Sequence, residues 1–168
     1  MVHVLQMRVD LDCRPELASV QGVTTRHFSG PQDVDAWLEI RHRAFAREKI
    51  GVRQWTHTDF EAEFLAKPWW SPELLWFAEV QSDTQNPSQR VGTVARALRG
   101  AGLDARPVVH WLAVLPGWRR RGIGRLLLSQ LHQACWDAGQ RQVWLETHVG
   151  WEAAVSLYRE LGYREVRR

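Results

Sequence analysis

Residues 108–125 read Val-Val-His-Trp-Leu-Ala-Val-Leu-Pro-Gly-Trp-Arg-Arg-Arg-Gly-Ile-Gly-Arg, and this stretch decides the fold. An apolar run ends at Leu115, a Pro116-Gly117 turn follows, and a leucine-rich helical pattern begins after Gly122-Ile123-Gly124. The reading is strand, turn and helix start, with Arg119, Arg120, Arg121 and Arg125 around the join. The first amides of a helix lack intrahelical partners and carry partial positive charge. Glycine lets a ligand approach that backbone closely. Together these features describe a phosphate cradle with a cationic rim. No Lys-Ser or Lys-Thr follows the glycines, which excludes a nucleoside triphosphate loop. Leu127 stands where a dinucleotide fingerprint needs its third glycine.

Downstream, Val143-Trp144-Leu145-Glu146-Thr147 reads as a buried strand. Ala153 to Tyr163 (Ala-Ala-Val-Ser-Leu-Tyr-Arg-Glu-Leu-Gly-Tyr) reads as a helix closed by a glycine at Gly162. Arg119-x-x-Gly122-x-Gly124 after a strand, then W-L-E, then A-A-x-x-L-Y-x-x-L-G-Y, resembles the GNAT superfamily of N-acetyltransferases, which bind acetyl-coenzyme A. The resemblance covers residues 108–165; the first hundred residues match only in their order of elements. It implies an α/β (α+β) domain of the GNAT fold, a mixed central sheet flanked by helices.

The resemblance also implies site residues. The backbone of Leu112, Ala113 and Val114 would hold the pantetheine arm, with the Val114 amide as oxyanion donor. The amides from Arg119 to Gly124, Ile123 among them, would take the pyrophosphate, with Arg119, Arg120, Arg121 or Arg125 on the remaining oxygens. Tyr158 would protonate the departing thiolate: a phenol near pKa 10 is close enough to a thiol near about 8.5 for useful donation. Glu146 leads as general base, because the ribosomal-protein alanine acetyltransferases of this superfamily use a glutamate in a similar W-L-E at the same distance from the tyrosine. His110 on the central strand is its rival, and water remains open. Trp151 stands where the family often has an asparagine that helps hold the cofactor. The implied reaction is direct acetyl transfer from acetyl-CoA to the amine of a small molecule or peptide, without metal or covalent intermediate. A non-catalytic acyl-CoA-sensing module of the same fold is the alternative.

Composition sets the outer bounds. The 168 residues suit one domain with a proper core. No apolar run is long enough to span a bilayer, and the first residues lack the basic start and apolar stretch of a signal peptide. Cys13 and Cys135 form no metal-ligand cluster, so a reducing cytoplasm is the expected setting. Net charge is +3, carried almost wholly by arginine, whose planar fork suits phosphate. Outside the cradle the arginines are scattered among acids, which argues against a nucleic-acid partner. A homodimer is possible on general grounds. Of ten tryptophans, Trp37, Trp76, Trp111 and Trp144 fall in core patterns. Trp55, Trp69, Trp70 and Trp151 lie near loops, where Trp55, Trp69 and Trp70 with His57 are candidates for an acceptor wall.

The rest of the pattern supplies the order of elements. Residues 1–20 form an N-terminal extension or an extra strand, with Val2 to Val9 expected to pair at a sheet edge; residues 21–168 form the acetyltransferase domain. A strand at 21–28 precedes a helix that starts near Pro31 and buries Val34, Trp37, Leu38, Arg41 and Phe45. Thr58-x-x-Glu61 suggests a capping box on a second short helix. Strands follow at 74–80, 90–98 and 108–115, then a helix at 122–138 with Ile123, Leu127, Leu131, Ala134 and Ala138 on one side. A last strand runs from Tyr163 to Arg167.

Overall fold

The computed structural model describes residues 3–48, 52–81, 85 and 87–167. Its elements run β1 (Val4–Asp10), β2 (Val23–His27), α1 (Gln32–Phe45), α2 (His57–Phe60), β3 (Leu75–Val80), β4 (Gln89–Arg99), β5 (Arg106–Val114), α3 (Ile123–Asp137), β6 (Gln142–His148), α4 (Glu152–Glu160) and β7 (Arg164–Glu165). They build one sheet in the order β2-β3-β4-β5-β6-β1-β7. All neighbours are antiparallel except β5 and β6. The α/β (α+β) mixed sheet flanked by helices is therefore as expected.

β3 and β4 bury both faces, which is why they read as near-continuous apolar runs. Leu75 and Phe77 point with Ala95 and Ala113 into a core under α1 and α2, around Trp37, Phe60 and Phe64. Trp76, Ala78, Val94 and Val109 point the other way, towards α3 and α4. On β6 the alternation continues: Val143 and Leu145 enter the α3 core. Trp144 and Glu146 emerge on the opposite face, where they line a cleft.

The N-terminal strand lies deeper in the sheet than expected. β1 is an interior strand, paired in full with β6 and over Met7 and Arg8 with β7. Met7 and Val9 are buried there. The segment after β1 runs back over α3, held by Arg14 on Asp137, Gln133 Nε2 donating to Pro15 O (3.0 Å) and Ala18 N donating to Ser129 Oγ (3.0 Å).

Other boundaries need correction. The capping box is Thr56 with Asp59, not Thr58 with Glu61. Arg53 grips both Asp59 oxygens and fixes that frame, and the chain continues as a π-helical turn over Glu61–Leu65. α1 buries Ile40 and Ala44 rather than Leu38 and Phe45, which are only half-buried. Ala138 is exposed, while Leu126, Leu128 and His132 widen the buried face of α3. β7 is two residues long. Gly162 does close α4, at φ +90° with Tyr163 N donating to Tyr158 O. Both cysteines are free thiols.

Candidate active site

The cleft originates in a β-bulge. β4 and β5 pair in register from Arg99–Arg106 to Ala95–His110, then resume one residue out of step at Thr93–Ala113. Trp111, at φ +58°, takes up the extra residue. Beyond the bulge, Leu115 N donates to Val91 O on β4 (2.8 Å). Strand alternation therefore turns the amides of Val114 and Leu112 away from β4 and that of Ala113 towards it. On the open side β6 has already departed, since the two strands pair only at Val108–Trp144. The divergence leaves a cleft of about 1340 Å³ lined by β5, β6, the end of α1 and the starts of α3 and α4.

At one end lies the start of α3. Its N-cap is Gly122 at φ +84°, and no side chain among the described residues caps the first amides. Gly122, Ile123 and Gly124 all line the cleft. The second glycine is also needed for packing, because a Cβ on Gly124 would stand 3.0 Å from Leu157 Cδ2 on α4.

The arginines divide their roles. Arg119 bonds two carbonyls, Val114 O (3.2 Å) through Nε and Ala44 O through Nη2, and so ties the end of α1 to the end of β5. Arg121 stacks on Trp118 at 4.6 Å and lies outside the cleft lining. Arg125 pairs with Glu160 on α4. Arg120, in left-handed backbone at φ +60°, lines the cleft and has no side-chain partner among the described residues.

Tyr158 lines the cleft and is buried, edge-on to Tyr163 at 5.6 Å. Burial pushes its phenol well above the ordinary tyrosine value, so it carries its proton throughout the physiological range. Glu146 is exposed on the cleft floor, where Gln6 Nε2 donates to Oε1 at 2.9 Å. That partner comes from β1, an element the motif did not reach. His110 lies on the opposite wall, next to Phe64 and Trp55. Burial pushes it down to about 3, and Arg99, Arg41 and Lys67 act in the same direction. Its Nε2 is 3.7 Å from Glu63 Oε2, beyond hydrogen-bond range.

The aromatic wall differs from expectation. Trp111 and Trp144 line the cleft instead of filling the core, as does Trp151, which packs on Phe45 at 5.2 Å. His57 pairs with exposed Asp35, and Trp69 and Trp70 pack on the α1–α2 core, so none of them borders the cleft. Trp55 backs Arg41, which is 3% exposed and clasped between Trp55 (4.4 Å) and Trp111 (4.2 Å). Burial, then the nearby Arg53, lowers Arg41 to about 10. In the sequence Arg41 registered only as an apolar stem on α1.

An interior bulge, a diverging parallel pair and a helix start at the divergence define one structural class. The chain belongs to the acetyltransferase (GNAT) family, whose domain model matches residues 71–165. Along 166 residues it is 30% identical to a mycothiol acetyltransferase of Rhodococcus erythropolis, covering 96% of this chain and 54% of that protein. It therefore spans about half the length of the curated relatives it matches. A GCN5-related N-acetyltransferase from Sphaerobacter thermophilus superposes with a TM-score of 0.76 at 26% identity, over 97% of this chain and 48% of the other. The fold alone is shared with the NatC complex bound to Gag peptide and CoA, with a TM-score of 0.67, 18% identity and 88% of each chain covered.

Proposed function

We propose that the chain transfers the acetyl group of acetyl-CoA to an amine by direct attack within a ternary complex. The divergence of β5 from β6 immediately beside the uncapped start of α3 carries this reading. Unpaired strand amides and unpaired helix amides meet along one cleft, which suits a ligand with an amide-rich arm ending in a diphosphate. Acetyl-CoA is such a ligand, and the thioester it brings is the acyl donor.

In this reading Leu112 and Val114 bond the pantetheine arm through the amides that face away from β4. Ala113, whose amide faces β4, contributes its position rather than a hydrogen bond. The Val114 amide polarises the thioester carbonyl. The amides of Gly122, Ile123 and Gly124 hold the pyrophosphate, and Arg120, which has no side-chain partner among the described residues, adds a cation. Arg119 and Arg125 act by shaping the loop and anchoring α4.

Tyr158 donates its proton towards the sulfur as the carbon–sulfur bond breaks. Burial keeps the phenol protonated and also makes it a weaker acid than free tyrosine, so what it offers the leaving sulfur is a hydrogen bond that becomes proton transfer only as negative charge builds on the sulfur. The attacking amine must first lose a proton. An amino terminus holds that proton with a pKa near about 8, roughly five units above His110. The gap makes His110 a weak base, but an ordinary glutamate, at about 4.3, is almost as far from the amine. Glu146, or water bonded to it, is the candidate carried here because it lies exposed in the cleft with one oxygen fixed by Gln6.

Thiol release from acetyl-CoA in the presence of small amines, aminoglycosides, polyamines and peptide N-termini tests the activity. Calorimetry with coenzyme A tests the cradle separately. Heat without turnover on every amine would make the chain an acyl-CoA-sensing module; no heat would remove the reading altogether. Glu146→Gln lowering turnover at least ten-fold, with His110→Asn having a smaller effect, supports the base; the reverse order removes Glu146 from that role.

A further inference from the structure

Away from the cradle, the cleft is cationic without a matching set of acids. Arg99 and Arg106 face each other directly across the β4–β5 pair, an arrangement of like charges that destabilises a hairpin. Both line the cleft and neither has a carboxylate within salt-bridge range among the described residues. Asp104, in the turn joining them, pairs with neither. The Arg106 guanidinium carbon lies over the Trp144 ring, 4.6 Å from its centroid, and both side chains line the cleft.

Arg41 reinforces the same region from beneath. It lines the cleft, is 3% exposed, and spends Nη1 on Arg53 O (2.8 Å), while among the described residues it has no carboxylate partner and its Nε no acceptor. A guanidinium so buried is normally paired. Arg41, Arg99 and Lys67 all bear on His110. Against these cations stand Glu63, 3.7 Å from His110, and Glu48, Glu146 and Glu152 elsewhere in the lining, while Glu160 is taken by Arg125.

The cradle's phosphates cannot be the missing anions. Arg106 and Val114 are the two ends of β5, about 25 Å apart in extended chain.

We propose that the acceptor carries an anionic group, carboxylate or phosphate, that docks on Arg99 and Arg106 while its amine sits beside Glu146. Trp144 pairs with Val108, so Glu146 and Arg106 lie on opposite sides of that pair. Four residues of strand separate their levels, about 13 Å, and the reach of the arginine side chain brings amine and anion to roughly 10 Å apart. The span excludes a free α-amino acid and fits a short peptide with a free C-terminus or an amine phosphorylated at its far end. The inference rests on the acetyl-transfer reading for the place of the amine, not for the anion site itself.

The test uses two matched probe pairs on the full chain: triglycine against triglycinamide, and aminohexyl phosphate against aminohexanol. Binding is measured by calorimetry with coenzyme A present, and turnover by thiol release. The expected result is an advantage of about ten-fold in affinity and kcat/KM for the anionic member of at least one pair. The pair that shows it identifies carboxylate or phosphate. Arg99→Gln/Arg106→Gln should abolish the advantage and leave the neutral member unchanged. Arg99→Lys/Arg106→Lys should keep part of it, which controls for a folding defect. Equal treatment of both members by the parent chain, or an undiminished preference in the glutamine variant, overturns the proposal. Anion-selective binding without thiol release keeps the anion site and removes acetyl transfer. Thiol release without charge preference does the opposite.

Discussion

Two histidines lie in the interior, and acid should expose their cost. Burial, then Arg99, Arg41 and Lys67, pushes His110 down to about 3, and burial pushes His132 down to about 4. An unfolded histidine titrates near about 6.5. Below that value the unfolded chain takes up protons that the native state refuses, so stability falls with pH until the native values are reached. At pH 5 each histidine withholds its proton across about 1.5 pH units, which costs about 2 kcal/mol, or about 4 kcal/mol for the pair. A domain holds only ~5–15 kcal/mol, so the loss is a large share. Asp33 does not enter this window: burial would raise it, but Arg26 and Ser29 outweigh burial and lower it to about 2, so its contribution is lost only below about pH 4. Urea denaturation at pH 7, 6 and 5 measures the effect directly. The slope near pH 5 should approach two protons, and His110→Asn or His132→Asn should each remove one, whatever they do to stability at pH 7. A parent slope below one proton, or slopes unchanged in both variants, refutes the burial argument. The same shift implies a turnover profile with no limb from His110 at any pH where the protein is folded.

Tyr158→Phe should lower kcat by about 10²–10⁴-fold with little change in coenzyme A affinity, because the hydroxyl has no hydrogen-bond partner among the described residues; single-turnover kinetics and calorimetry separate the two. Gly122→Ala places a side chain at φ +84°, which should cost about 1–2 kcal/mol in urea denaturation and raise KM for acetyl-CoA. Arg120→Ala should weaken coenzyme A binding about ten-fold at low salt and less at high salt, whereas Arg121→Ala should change it little. Met7→Ala should cost about 2–5 kcal/mol, since Met7 is 1% exposed on a strand held between two others; a loss under about 1 kcal/mol would mean that β1 is dispensable.

The sequence was most legible where one residue type serves one backbone need. Gly162 and Gly122 sit at positive φ where the helix boundaries were drawn. The apolar periods of β6 and α3 mark their buried faces, and the continuous apolar run of β3 marks a strand covered on both sides. Legibility failed where two local solutions compete. Thr56-x-x-Asp59 and Thr58-x-x-Glu61 are equivalent as patterns, and only Arg53 on Asp59 selects between them. The sequence leaves Arg119, Arg120, Arg121 and Arg125 as equals, because composition does not say which will meet a carbonyl, a tryptophan face or a carboxylate. The alternation of β1 points to pairing at a sheet edge, which β6 provides, but nothing in it reveals a two-residue partner on the far side. The tryptophans are undecided in the sequence for a similar reason: Trp69 and Trp111 are the same residue type, and the fold packs one on the α1–α2 core and sends the other to the cleft.

The Trp111 bulge matters most and had no sequence signal at all. A bulky residue in left-handed backbone costs of order 1–3 kcal/mol, and the surroundings must hold it there. Arg41 and Phe45 do so from α1, at 4.2 and 5.6 Å. The extra residue shifts the strand's alternation by one. Before it, the residues facing β6 are the neighbours of Val108, and they close the sheet. After it, Leu112 and Val114 face the gap, at the level where the parallel pairing has ended. Without the bulge, Leu112 and Val114 would turn back to β4, and the side chain of Ala113 would leave the α1 core. One misfit residue thus sets the direction of the cleft amides, the packing of α1, and the clasp on Arg41. The helix-start end and the arginine end of the cleft are accordingly coupled through the backbone of β5. A substitution at Trp111 should disturb both, whereas changes at Arg106 or Arg120 should each disturb only one.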